Sequence, residues 1–231
     1  MFEELLMEVM ESVDLQPLQY LAVVRVAISV CESEDVQYMI GRFHKTNGNN
    51  GNFGFLDGQW KRLRGKVRRK LNQIRVPDII IDIVLENLWP ISFEISKWIV
   101  YHVEDTGIGC SSNFCWTPQV KIDYLKTAEI LIKNEALEIK KRFKLACFYC
   151  LDSEVRSLWE QMSLSEKRYF LVRGNLKKSD QNPIVLYWTH YMQGKRINYR
   201  KKQALESFKY AVKNGYLSAT KFFFWQTKIT T

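Results

Sequence analysis

Glycine and proline are scarce in this chain of 231 residues, 11 and 5 respectively. That scarcity excludes a sandwich of short strands, which needs turn residues every few positions. Long apolar runs are missing too: Arg25 and Asp82 interrupt the two best stretches, and a membrane-spanning helix needs ~20 predominantly apolar residues. The opening residues, MFEELLMEVMESVD, lack the basic leader of a secretory signal. Cysteine occurs five times, an odd number at irregular spacings, which does not make a disulfide framework. Together these absences lead us to expect an intracellular, cytoplasmic chain with reduced thiols, with the nucleus as the alternative address.

What is present excludes disorder: 46% of the residues are hydrophobic and 13% aromatic, enough to build a core. Apolar residues recur with a period of 3.6 almost everywhere, and no segment alternates with a period of two. Helices are expected at 2–13, 18–30, 34–43, 60–75 and from Pro77 to Trp89. Pro90 is expected to begin a separate helix that Gly107 caps. Further helices are expected near 123–133, 136–150, from an Asp152 cap to Met162, 164–172, 184–193, 199–214 and 217–228. Ser163 and Glu166 have the spacing of a capping box. The stretch HKTNGNNGNFGFLDG, residues 44–58, reads as a flexible loop. It separates an N-terminal helical part, 1–43, from a helical array over 59–231.

One pattern recurs. FKLACFYCLDSEVRSLW (143–159) aligns without a gap on FKYAVKNGYLSATKFFF (208–224), and VRVAISVCESEDVQYMI (24–40) fits the same register. Phe143, Ala146 and Cys150 fall on Phe208, Ala211 and Gly215, and on Val24, Ala27 and Cys31. Each copy reads as a helix with an alanine where two helices approach, a small residue four positions on, and a second apolar helix. A hairpin of this kind cannot bury both faces alone, so neighbours must stack on it. The Cys-x-x-Cys pair, Cys147 and Cys150, therefore reads as packing, because Val212 and Gly215 replace it in the second copy.

FKYAVKNGYLSATKFFF resembles the helix-turn-helix of an ankyrin repeat, and KTAEILIKNEALEIKKRFKLACFYCLDSEVRSLWE (126–160) resembles a group of arachnid proteins built from ankyrin-like helical units. The copies at 143 and 208 lie 65 residues apart, close to two ankyrin periods of ~33 residues. The Thr-Pro-Leu-His opening of an ankyrin unit is absent. The resemblance implies a degenerate α-solenoid with an interaction role, and no activity.

Residues that could carry chemistry do not assemble into a motif. Cys110 and Cys115 with Cys147 and Cys150 could in principle hold zinc, but the second pair lies along a helix, and no metal or other cofactor is expected. His44, His102 and His190 have no nucleophile beside them in sequence, and NGNNGNFG lacks the Gly-Lys-Ser/Thr ending of a phosphate loop. We expect no enzymatic activity.

The net charge of +9 is local: Lys61, Arg62, Arg64, Lys66, Arg68, Arg69, Lys70 and Arg75 supply eight cations, leaving 9 − 8 = +1 for the rest. This helix can be a solvated face paired with the acidic N-terminal residues, a surface for a polyanion such as nucleic acid, or a targeting patch. The C-terminal KFFFW, with four successive aromatics, is a further candidate contact, since core burial uses only about two of them. The expected function is a protein-interaction scaffold, with nucleic-acid binding through residues 61–75 as the alternative.

Overall fold

A computed structural model describes residues 18–45, 57–109, 113–172, 182–195 and 197–228. The helix expected at 2–13, most of the 44–58 loop and Cys110 lie outside the described residues. Among those described there are eleven helices and no strand, so the all-α expectation holds. Two compact units divide within one long helix: the first takes residues to Ile99 with 110–112 and 116–121, the second the remainder.

The first unit is built from α1 (Leu18–Cys31), α2 (Glu34–Lys45), α3 (Asp57–Gln73) and the leading part of α4 (Asp78–Thr106). Helix α1 turns Val23, Val24, Ala27, Ile28 and Cys31 inward, and α3 buries Leu63, Val67 and Leu71 at four-residue spacing. α2 packs on both α1 and α3. Glu34 and Asp35 open α2, where they complement the positive end of the helix dipole.

Pro90 does not separate two helices. It lies inside α4, which is continuous over 29 residues. Proline removes one backbone hydrogen bond and crowds the carbonyl four residues back. Pro90 and Glu86 are both exposed, so the freed carbonyl faces water. Ile81, Val84, Leu88, Ile91, Ile95 and Trp98 are fully buried on either side of the proline, and their shared face holds the helix together through it.

The second unit contains the end of α4 and α5 (Tyr124–Lys133), α6 (Ile139–Tyr149), α7 (Asp152–Gln161), α8 (Leu164–Val172), α9 (Pro183–Met192), α10 (Ile197–Asn214) and α11 (Leu217–Lys228). α6 packs against α5, α7, α9 and α11, and α10 packs against α9 and α11. The α6–α11 contact is one that an extended array, where each unit meets only its neighbours, would not have.

The capping box closes as expected: Glu166 N–H donates to Ser163 Oγ at 3.3 Å and Ser163 N–H donates to Glu166 Oε2 at 2.8 Å. The expected Asp152 cap is displaced by one residue. Leu151 occupies the cap position without a side-chain bond, and Asp152 opens α7 with its carboxylate on Arg156.

The two hairpins 65 residues apart end their first helices with the same bonds. Cys150 N–H donates to Cys147 O at 3.1 Å and Leu151 N–H to Ala146 O at 3.1 Å. Gly215 N–H donates to Val212 O at 3.3 Å and Tyr216 N–H to Ala211 O at 2.9 Å. Cys150 and Gly215 both take the left-handed conformation, with φ of 53° and 72°, the arrangement that closes a Schellman cap. Ala146 and Ala211 are fully buried. The third copy keeps Val24, Ala27 and Cys31 buried, but its turn differs: Cys31 is still helical, and Glu32 N–H donates to Ile28 O at 2.9 Å.

This contrast separates two glycines. Gly215→Ala should cost about 1 kcal/mol, because alanine resists positive φ. Gly65 lies mid-helix in α3 with nothing within 4 Å of an added Cβ, so Gly65→Ala should instead stabilise by about 1 kcal/mol. Urea denaturation of both variants checks the opposite signs.

Candidate interaction surfaces

Helix α3 buries one face, so its cations sort by position around the axis. On one flank Lys66 and Lys70, a turn apart, reach Asp35 of α2 at 2.9 and 2.8 Å. Burial alone would push the Asp35 carboxyl up, but the hydrogen bonds from Lys66 and Lys70 outweigh it and hold the carboxyl well below the usual carboxylate range. On the other flank Arg68 pairs with Asp82 of α4. Between them Lys61, Arg62 and Arg69 are exposed, as are Arg64, a turn before Arg68 on the same flank, and Arg75 beyond the helix end, and none has a carboxylate partner among the described residues. The carboxylates that neutralise the flanks are Asp35 and Asp82. The acidic residues of the N-terminal region, Glu3, Glu4, Glu8, Glu11 and Asp14, lie outside the described residues.

Arg75 has φ of 58° in a third Schellman turn: its N–H donates to Asn72 O at 3.0 Å, and Val76 N–H donates to Leu71 O at 3.1 Å. The backbone at the end of the basic helix is thereby fixed. Each flanking ion pair is solvent-exposed and contributes at most ~1 kcal/mol. Their larger effect is to confine uncompensated charge to one outward stripe.

The second candidate is the α10–α11 hairpin. Of the four successive aromatics, Phe223 is fully buried, and Phe222 packs 5.2 Å from Trp188, centroid to centroid. Phe224 and Trp225 are exposed, alongside Leu205 and Val212 of α10. Lys228 lies over the Phe224 ring at 4.5 Å. Of the remaining repeat positions, Phe143 is buried, while Cys150 and Phe208 are half-buried and Gly215 is exposed.

Cys31, Cys147, Cys150, His102 and His190 sit in packed surroundings. Burial pushes the Cys31 and Cys150 thiols up to about 12 and raises that of Cys147 as well, the reverse of what a reactive thiolate needs. Among the described residues no three His, Cys, Asp or Glu side chains converge as a metal would require. His102 is buried, with Nε2 2.9 Å from Tyr149 Oη. His190 is buried too, and burial, with Lys195 adding repulsion, lowers its ring to about 4.

A junction that sequence spacing could not reveal lies at the end of α4. Asp105 accepts hydrogen bonds from Asn182 Nδ2 at 2.6 Å, Tyr210 Oη at 3.0 Å and Tyr216 Oη at 2.7 Å. Burial, then Asp105 itself, raises both tyrosines well above their usual range. Burial raises Tyr149 likewise and lifts Tyr101 to about 12.

Both titrations carry a sign. A folded tyrosine raised above its ordinary pKa of about 10 stabilises below that pH, and the contribution is lost as pH rises toward and beyond 12. His190, depressed from about 6.5 to about 4, stabilises above pH 6.5, and that contribution is lost as pH falls through 4. Thermal melts should therefore show a plateau between about pH 6.5 and 8.5, with decline below it as His190 protonates and above it as first the buried Cys31, Cys147 and Cys150 thiols, raised from an ordinary value of about 8.5, and then the tyrosines lose their contributions. His190→Gln should soften the acid limb alone.

The fold defines an all-helical protein, and no helix among the described residues is long and apolar enough to cross a membrane. No protein-family model, curated protein or solved structure matches the chain.

Proposed function

We propose that this protein is a non-enzymatic protein–protein interaction scaffold, a degenerate ankyrin-like stack of helical hairpins. The observation that carries the reading is the pair of hairpins at 143–159 and 208–224, whose turns close through matching bonds on fully buried alanines. Between them α9 packs on both α6 and α10, as an intervening unit would. Repetition of this kind leaves hairpin faces available at the surface, and the side chains with chemical potential, Cys147, Cys150, His102 and His190, are spent on packing. The similarity of residues 126–160 to ankyrin-like arachnid proteins supports the same reading. In the first unit the outward stripe of Lys61, Arg62, Arg64 and Arg69 sets the charge that a partner must carry there: acidic.

That stripe also supports a second reading, a nucleic-acid interface, since four cations without carboxylate partners among the described residues can release phosphate counterions. One experiment separates the two. Wild type and the triple variant Arg62→Glu, Arg64→Glu, Arg69→Glu are used as bait in native lysate, each sample split and one half treated with nuclease. The scaffold reading expects wild-type partners that survive nuclease and are depleted at least ~10-fold by the variant, whose melting temperature stays within a few degrees of wild type because the three side chains are exposed. Partners that vanish with nuclease, together with a salt slope that falls by ~0.9 per lost phosphate contact, would replace the scaffold with a nucleic-acid-binding protein.

A further inference from the structure

Because α10–α11 repeats α6–α7 at an offset of 65 residues, each residue of the terminal hairpin has a counterpart whose surroundings are on view in the other. Phe143 and Trp159 pair at 5.5 Å between ring centroids, tilted by 40°. Their counterparts Phe208 and Phe224 pair at 6.2 Å, tilted by 39°. The face is the same; what lies on it is not. Phe170 of α8 stands 4.9 Å from Phe143, and Phe143, Cys147 and Trp159 are 0, 0 and 9% exposed. Val212 and Phe224, at the positions of Cys147 and Trp159, are 52 and 39% exposed.

We infer that this terminal face docks an acidic helix of a partner protein, which sets an aromatic side chain against Phe208 and Phe224 as Phe170 is set against Phe143. The aromatic anchor follows from the internal copy, where α8 shows what the face accepts. The acidic character follows from the charge of the two helices: α10 carries five Lys or Arg and α11 two, against a single carboxylate, Glu206. A second copy laying the same face on this one would set lysine against lysine. A bilayer suits apolar residues gathered into one continuous helix face, whereas here they run along two helices from Leu205 through Val212 to Phe224.

The inference rests on the scaffold reading but can fail without it. The probe is a fluorescein-labelled helical peptide with a central phenylalanine between glutamates, titrated into the full chain and followed by anisotropy. Its control carries lysine in place of each glutamate. The expected result is saturable binding that weakens with added salt, is absent for the lysine peptide, and drops about tenfold in Val212→Glu. Leu205→Glu, on the same stripe, is a second variant, and circular dichroism verifies that both fold. No binding to wild type, or equal binding to both variants, overturns the inference while leaving nuclease-resistant capture through α3 intact. A dimer seen by sedimentation that Val212→Glu dissolves would also overturn it, because the occupant would then be a second copy.

Discussion

Replacing Asp105 with alanine is expected to lower the unfolding free energy by about 3 kcal/mol, read as a fall in the urea midpoint with an unchanged slope. The carboxylate receives donors from three segments, the start of α9, the end of α10 and the residue before α11, which lie 77, 105 and 111 residues away in sequence. Hydrogen bonds to a charged acceptor contribute ~1.5–3 kcal/mol each, and the contributions of neighbours in one network do not add. Alanine leaves Asn182, Tyr210 and Tyr216 facing a gap; two of these are half-buried and Tyr216 is buried, so water replaces the lost acceptor poorly. Asp105→Asn keeps the shape and one acceptor oxygen and should fall between wild type and alanine. Tyr216→Phe should cost less than either, because its ring still packs edge-on against Phe148 and Tyr101, with centroids 4.4 and 4.7 Å away. An alanine variant no less stable than the asparagine variant would show that the cluster is decoration and not a clamp.

The Asp105 junction also marks where sequence stops being readable. Several helix ends were legible because their chemistry is local: the Ser163–Glu166 box and the Gly107 and Gly215 caps each involve residues within a turn or so of one another, whereas the equally local Asp152 cap fell one residue off. Cys150 was legible only as a small packing residue. Its left-handed backbone became visible through the counterpart that uses glycine, the residue that adopts that conformation without penalty. Pro90 misled because local propensity points to a break, yet the apolar spacing from Ile81 through Leu88 and Ile91 to Trp98 runs through it unbroken, and that longer signal wins. The basic helix was legible as a charge run. Which cations remain available depended on Asp35 and Asp82, on two other helices, and no spacing rule within residues 61–75 indicates that Lys66, Lys70 and Arg68 are engaged. Asp105 itself gave no signal, since its three donors meet only after α9, α10 and α11 have packed.

Phe143→Ala should destabilise by about 4 kcal/mol, and Phe208→Ala by only about 1 kcal/mol, although the two residues occupy the same repeat position. Phe143 is fully buried between Trp159 and Phe170, so truncation loses the transfer free energy of the ring and leaves a cavity that the surrounding helices cannot close. Phe208 meets the Phe224 ring on one side and is only half-buried, so water fills the space and no comparable cavity forms. Measured in the isolated chain, this asymmetry reports how far the intervening α8 covers the first face while the terminal face is left open. Adding a saturating partner should then raise the cost of Phe208→Ala toward that of Phe143→Ala, since a ligand that binds only the native state adds its free energy to stability and loses it when its anchor is cut away. Equal costs in the isolated chain would mean that the Phe208 face is already filled and needs no partner.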